Sequence, residues 1–332
     1  MIDLASRTAI VVPVRDEEAS IIELFDSFEK LSLKPREIII VDGGSQDATV
    51  PVIKKYMRSH NNLPYKLRLI ELEDAFPGKA RNIGIESSSA RIIACTDAGG
   101  IVDPGWLKHL LAPFKKDSRL EVTVGNCLPY TKSPFEKYAF LINIKGLDKT
   151  KFAYLGAVSI AFLKEVWQKV GKYPDEIYPN EDKCFLIKLK KYGAKFFISD
   201  KAIARWRPRR NMKEFAVQYF SYGRADARFD FVPIAHILRI ATYTLGLALV
   251  IMGIAHRILW IVCLLGLFLY LLGVTFRTCL QSRRVAAFLY VPLLLLVKDI
   301  AQIFGYIVGM VERICVPKYR EIARNKFKVT NE

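Results

Sequence analysis

The stretch Glu37–Thr49, EIIIVDGGSQDAT, sets the reading of the first two hundred residues. Four β-branched residues run into Asp42, and Gly43-Gly44-Ser45 then supplies residues that tolerate positive φ in a turn. Asp47 stands where it can cap the helical run Thr49–His60. Working outward, short β-branched runs alternate with amphipathic stretches on both sides. Strands are predicted at Thr8–Val14, Tyr65–Glu71, Arg91–Asp97, Leu120–Cys127 and Ala194–Ser199. Helices are predicted at Glu17–Leu31, Lys79–Ser88, Pro104–Phe114, Lys164–Val170 and Asp182–Tyr192. Strand-then-helix order recurring three times before residue 97 predicts an α/β layer fold on a largely parallel sheet.

Charge separates the two ends of the chain. Residues 1–200 carry 30 Lys/Arg against 26 Asp/Glu, whereas residues 201–332 carry 20 against 7. Most of the +17 therefore lies beside the longest apolar runs, a placement that suits anionic membrane lipids and not nucleic acid. The six cysteines form no CxxC pair and only four histidines are present, so zinc-site spacing is absent and a reducing compartment is expected. Asp3 and Arg7 lead straight into the first apolar run, so membrane entry is expected from the C-terminal end and not through a signal peptide.

Between 201 and 230, Lys201, Arg205, Arg207, Arg209, Arg210 and Lys213 interleave with Trp206, Phe215, Tyr219, Phe220 and Tyr222. This reads as an interfacial amphipathic helix or as a basic helix packed on the domain. Ile240–Ala255, extending back to about Phe231, and Ile258–Phe276 read as membrane spans. Val285–Val297 and Ile300–Val311 are two shorter runs split by Lys298-Asp299; they fit one tilted span, a hairpin, or interfacial helices. The basic Arg277–Arg284 loop and Lys318–Lys328 tail should both face the cytoplasm, which implies an even number of crossings. The organisation expected is a catalytic domain at 1–230, a transmembrane region at 231–311 and a basic cytoplasmic tail at 312–332, multi-pass in the plasma membrane.

The predicted first, second and fourth strands end in polar clusters: Arg15-Asp16-Glu17-Glu18, Asp42 through Asp47, and Thr96-Asp97-Ala98-Gly99. Each alone is an ordinary helix cap; together they converge on the carboxyl edge of the sheet, where open α/β folds bind ligands. The segments VVPVRDEEASI, EIIIVDGGSQDAT, GKARNIGI, RIIACTDAGGIVDPGWL and NEDKCFLIKLKKYGAKF lie in order across residues 8–200. In them the chain resembles glycosyltransferase family 2, inverting enzymes of the GT-A fold. Its look is that of members with C-terminal membrane helices that build exopolysaccharides or lipid-linked glycans. The fold implied is α/β: a GT-A, Rossmann-like nucleotide-sugar-binding domain with C-terminal transmembrane helices.

By that resemblance Pro13, Arg15 and Glu17 line the nucleotide pocket, and Asp42 reads the nucleobase. Lys79, Arg81 and Asn82 approach the base or diphosphate, although Lys79 and Arg81 also read as solvated residues at a helix start. Asp97-Ala98-Gly99 stands where the family has Asp-x-Asp; Asp97 alone remains to hold Mg²⁺ or Mn²⁺, with Gly99 in place of the second ligand. Asp182 of the Glu181-Asp182 pair matches the general base. Arg205, Arg207, Arg209, Arg210 and Arg224 are expected on the acceptor side with Glu181. The Gln-x-x-Arg-Trp motif of processive relatives is missing, since Ala202 stands three residues before Arg205-Trp206. The partners implied are a nucleotide-diphosphate sugar, a lipid-linked acceptor and anionic lipids, with a homo-oligomer as one option. Two other readings stand beside this one: a polyprenyl-phosphate sugar synthase, and a non-catalytic membrane scaffold that retains the fold. A dehydrogenase or nucleotidylyltransferase would need a Gly-rich loop after the first strand, and PVRDEEA has none.

Overall fold

A computed structural model of the chain describes residues 4–142 and 158–329. Two compact units emerge among them, one of residues 4–130, 158–207 and 325–329, the other of residues 131–142 and 208–324.

The first unit is an eight-stranded mixed sheet with helices on both faces. In chain order the strands are β1 (Thr8–Val14), β2 (Glu37–Asp42), β3 (Lys66–Glu71), β4 (Ile92–Cys95), β5 (Gly100–Val102), β6 (Val122–Pro129), β7 (Ile160–Leu163) and β8 (Phe196–Trp206). Across the sheet they lie β3-β2-β1-β4-β7-β6-β8-β5. The first four are parallel. The expectation of a largely parallel sheet fails beyond them: β7 is antiparallel to both of its neighbours, and β5 runs antiparallel to β8.

Alternation along β1 builds the layers, because successive side chains leave a strand on opposite faces. Ile10, Val12 and Val14 pack under α1 (Ile21–Glu29), α2 (Thr49–Ser59) and α4 (Trp106–Lys116). Ala9 and Val11 face α3 (Pro77–Glu86), α6 (Lys164–Lys169) and α7 (Glu181–Tyr192). Helix α1 shows the local logic. Ile21, Leu24, Phe25 and Phe28 recur at helical spacing and are wholly buried, each contributing about 1.5–3 kcal/mol of apolar burial.

The second unit is helical. It holds α5 (Pro134–Leu141), α8 (Met212–Arg228), α9 (Pro233–Met252), α10 (Ile258–Ser282), α11 (Ala287–Cys315) and most of α12 (Pro317–Asn325). Its core joins Tyr138, Phe215, Tyr219, Ala287, Val291, Leu294 and Leu295. Helices α9, α10 and α11 are each long and apolar enough to cross a membrane. Of the alternatives left open at Lys298-Asp299 the hairpin drops out, because α11 is one continuous helix through it. The basic stretch after residue 200 also differs from the expected helix. Lys201, Arg205 and Trp206 lie on strand β8, and helix begins only at Met212.

Candidate active site

The register brings the three polar clusters to one edge. Val14 at the end of β1 pairs with Asp42 at the end of β2, and Cys95 at the end of β4 pairs with Val11. The loops after β1 and β2 are stitched together there. Asp16, with φ of 55°, donates its N–H to Ser45 Oγ at 2.9 Å and accepts the Gln46 N–H at 2.7 Å. Asp is among the few side chains that tolerate this left-handed backbone. The Glu17 N–H donates to Thr49 Oγ1 at 2.7 Å, and Glu18 accepts the Ala48 N–H at 2.8 Å. Asp47, one residue before the N-cap Ala48, accepts the Thr49 N–H at 2.9 Å at the start of α2.

Asp42 is buried and turned into its own loop, where Oδ2 accepts the N–H groups of Gly44 and Ser45, each at 3.0 Å. The Ser45 hydroxyl donates to its other oxygen. Gly44 has φ of 91° and lies so close to the Glu73 carbonyl that a Cβ would sit 2.1 Å from its oxygen. Pro13 is the penultimate residue of the all-buried β1. Arg15 is exposed and paired with Asp74 at 2.7 Å, and Lys79 is exposed at the start of α3.

Arg81 is the centre of the site. It is 2% exposed, so the reading of it as a solvated helix-start residue is overturned. Nη2 donates to Asp97 Oδ1 at 2.7 Å and Nη1 to Glu181 Oε1 at 2.8 Å, while the guanidinium lies 5.4 Å from the Tyr173 ring centroid. One planar fork therefore joins the loop just after β4 to the first turn of α7, whose Glu181 is one hundred residues from Arg81 in sequence. Asn82 points elsewhere. It bonds the Tyr173 carbonyl and Asp175 carboxylate and accepts the Trp167 indole N–H, pinning the loop before α7 and facing no ligand space.

Asp182 follows Glu181 in the first turn of α7, and its Oδ1 accepts the Lys183 N–H at 2.7 Å. Burial, and then the neighbouring Glu181 charge, push its carboxyl up to about 7; Arg81 opposes them. A base poised near neutrality is what proton transfer at pH 7 requires.

Gly99 explains part of what Asp-x-Asp has lost here. A Cβ on it would lie 3.0 Å from Glu17 Oε1, so the Glu17 carboxylate stands in front of the position a side chain would take. Ala98 is buried, and Asp97 keeps about a third of its side chain exposed. Among the described residues no three acidic, His or Cys side chains converge as a metal cage. One or two carboxylates completed by phosphate oxygens and water is the ordinary way to hold Mg²⁺ or Mn²⁺; the carboxylates at this loop are Asp97 and, facing Gly99, Glu17.

The arginines expected on the acceptor side fall in both units, two in the first and three in the second. Arg205 is locked to Asp103 at 2.6 Å, and the Arg207 N–H reaches the Gly99 carbonyl at 3.4 Å. Arg209, Arg210 and Arg224 belong to the helical unit, where Arg224 pairs with Glu312. Sequence reasoning missed the exposed stack of Phe76 on Tyr178, with ring centroids 5.4 Å apart. Phe76 is the residue before α3 and Tyr178 stands three residues before α7, and only the fold brings them together.

Residues 9–158 match the family model described as Glycosyl transferase family 2. This stretch belongs to that family. Glycosyltransferase AglE of Haloferax volcanii is 24% identical over 180 residues, covering 52% of this chain and 58% of that protein. Poly-beta-1,6-N-acetyl-D-glucosamine synthase of Staphylococcus epidermidis is 27% identical over 112 residues, 33% of this chain and 26% of that protein. The chain thus spans little more than half, or less, of the curated relatives it matches. The mannosyltransferase PcManGT of Pyrobaculum calidifontis, solved with GDP-Man and Mn²⁺, shares the fold at a TM-score of 0.60 and 18% identity, covering 93% of this chain and 87% of that one. The family 2 match ends before α7, so Glu181 and Asp182 are tied to it through Arg81 and not through the matched segment.

Proposed function

We propose that the chain is a membrane-anchored inverting glycosyltransferase that moves a sugar from a nucleotide diphosphate to a hydroxyl of a lipid-linked glycan. The observation that carries this reading is the Arg81 fork, which holds the donor-side Asp97 beside the pair Glu181-Asp182. Asp182 takes the proton of the acceptor hydroxyl as its oxygen bonds to the anomeric carbon, and the diphosphate leaves from the opposite face. Asp42 orients the nucleobase, and Arg15 and Lys79 are exposed cations near enough in sequence to the clusters to steer the diphosphate. Asp97 and Glu17 would hold Mg²⁺ or Mn²⁺, which supplies positive charge to the departing diphosphate. PcManGT, the fold neighbour, was solved with both GDP-Man and Mn²⁺, which supports a nucleotide sugar and a divalent ion here.

Helices α9 and α10 anchor the chain, with residues 1–230 as the catalytic domain on the cytoplasmic side and basic residues 312–332 as its tail. The test is release of nucleoside diphosphate by the full chain in membranes, screened over nucleotide sugars with lipid-linked acceptors. Turnover that chelator abolishes and Mn²⁺ restores is expected; turnover indifferent to chelator would remove the metal from the reading. No release with any donor would favour a non-catalytic scaffold. Transfer to a polyprenyl phosphate that survives Asp182→Asn would favour the lipid-phosphate acceptor, which needs little base.

A further inference from the structure

Length and composition give α11 the same claim to cross the membrane as α9 and α10. Its packing points elsewhere. Helix α8 runs alongside it in the same direction for about four turns. Lys298 Nζ lies 5.4 Å from the Tyr219 ring centroid, and a Cβ on Gly223 would meet the Gln302 carbonyl oxygen at 2.3 Å. One on Gly305 would meet the Phe220 oxygen at 2.1 Å, and one on Gly309 the Arg224 oxygen at 2.2 Å. At the far end Glu312 accepts from Arg224 at 2.9 Å and Arg228 at 2.7 Å. Helix α8 carries Lys213, Glu214, Arg224, Asp226 and Arg228, a density of charge that is costly to place in hydrocarbon. A helix bound along its flank would carry that cost into the bilayer with it.

The ends of α11 agree. Arg313 pairs with Asp230 at 2.9 Å, and Tyr319 packs edge-on against Phe229, so α11 finishes where α9 is about to begin. If α9 and α10 cross out and back, α11 both starts and ends on the side from which α9 entered. Residues 325–329 then rejoin the first unit, with Lys191 Nζ 5.3 Å from the Phe327 ring centroid. Midway, Asp299 is held by Arg239 at 3.1 Å and by the Tyr243 and Tyr270 hydroxyls at 3.1 and 2.7 Å, which latches α11 across the α9–α10 pair. Away from α8, α11 presents a continuous apolar stripe: Leu289, Leu293, Ile300, Phe304, Val311 and Ile314, all exposed. A stripe of that period on a helix about 43 Å long matches a helix lying in the interface plane.

We infer that α11 lies flat in the lipid headgroup–acyl boundary with this stripe toward the acyl chains, so that the chain crosses the bilayer twice, through α9 and α10 alone. The occupant of the stripe is the membrane to which the two spans are already committed; this rests on the membrane-anchored reading above.

In a Cys315→Ser background, single cysteines replace the exposed residues Lys115, Ala255 and Arg320. Sealed inside-out vesicles are then labelled with a membrane-impermeant maleimide. Lys115→Cys and Arg320→Cys should label together and Ala255→Cys only after permeabilisation; Lys115 and Arg320 on opposite faces would overturn the inference. Environment-sensitive probes at positions 289, 300 and 314, quenched by lipids nitroxide-labelled at graded depths, should all report one shallow depth. Position 300 near the bilayer centre, or all three in water, would also overturn it. Failure of the full chain to sediment with membranes would instead sink the anchoring reading itself.

Discussion

Replacing Arg81 by methionine tests the site and the fold at one atom cluster. The side chain is 2% exposed and its two charge-assisted bonds, of 2.8 and 2.7 Å, end on Glu181 and Asp97. Glu181 is nearly as buried as the arginine, so its share counts nearly in full. Asp97 is 32% exposed, and water can replace much of what it loses. Breaking a buried pair by removing one partner costs about 3–5 kcal/mol, chiefly because the other charge is left uncompensated. With the Asp97 share discounted, the lower half of that range is expected, roughly a 6–16 °C drop in Tm for a unit of this size. Thermal unfolding of the purified full chain in detergent reads this directly. Arg81→Met with Glu181→Gln should recover a large part of the loss, since the stranded charge is gone. Arg81→Lys should recover little, because an ammonium has no rigid fork to span both carboxylates. A single variant within about 1 kcal/mol of wild type, or a double variant no better than the single, would refute the charge-pairing account.

Three other positions give outcomes from the same geometry. Asp182→Asn should lower kcat by about 10² or more with donor affinity unchanged, and the wild-type rate should climb with pH through about 7 as the base loses its proton. Because the folded state raises this carboxyl's pKa, it favours the protonated form; stability is lost as pH rises through about 7, so Asp182→Asn should also melt higher at pH 8. Glu17→Gln should weaken Mn²⁺-dependent binding of a nucleoside diphosphate in titration calorimetry, and an unchanged affinity would leave Asp97 as the lone carboxylate. Gly305→Val, whose Cβ would meet the Phe220 carbonyl at 2.1 Å, should separate α8 from α11 and cost about 1–3 kcal/mol, read as a Tm shift; an unaltered Tm would contradict that seam.

Much of the first unit is legible in the sequence because its central strands β1, β2 and β4 are buried on both faces. Thr8–Val14 and Glu37–Asp42 can be read to the residue, since runs rich in β-branched residues end at polar turn residues. Gly100–Val102 escapes because three residues carry no period, and only pairing with β8 makes them a strand. The error at β8 is different. Ala202 and Ala204 are wholly buried between the more exposed Lys201, Ile203 and Arg205, a period of two that the cluster of basic residues masks. In α11 the Lys298-Asp299 pair looks like a break. Both charges have partners, but those lie on α8, α9 and α10, at separations no local pattern can show.

The site divides along the same line. Residues whose function is to sit at a strand end can be found from position alone, because the sheet register fixes where strand ends go. What each then does depends on contacts the sequence does not order. Asp42 accepts N–H groups of its own turn, the Asn82 amide binds the loop at 173–175, and the Arg205 guanidinium pairs with Asp103. Arg81 is the converse case. It reads as one basic residue among fifty, yet its burial forces it to carry two carboxylates with it. A buried guanidinium is tolerable only when paired, so the fold that accepts Arg81 must bring acidic groups to it. The two it brings are the first aspartate of the broken Asp-x-Asp and the neighbour of Asp182. Gly99 belongs with it. With Glu17 already facing it at 3.0 Å, an aspartate at 99 would set two carboxylates against each other without a fixed cation between them. The missing second carboxylate is therefore weak evidence for a dead enzyme, because the charge it would have supplied stands within reach on another strand's loop.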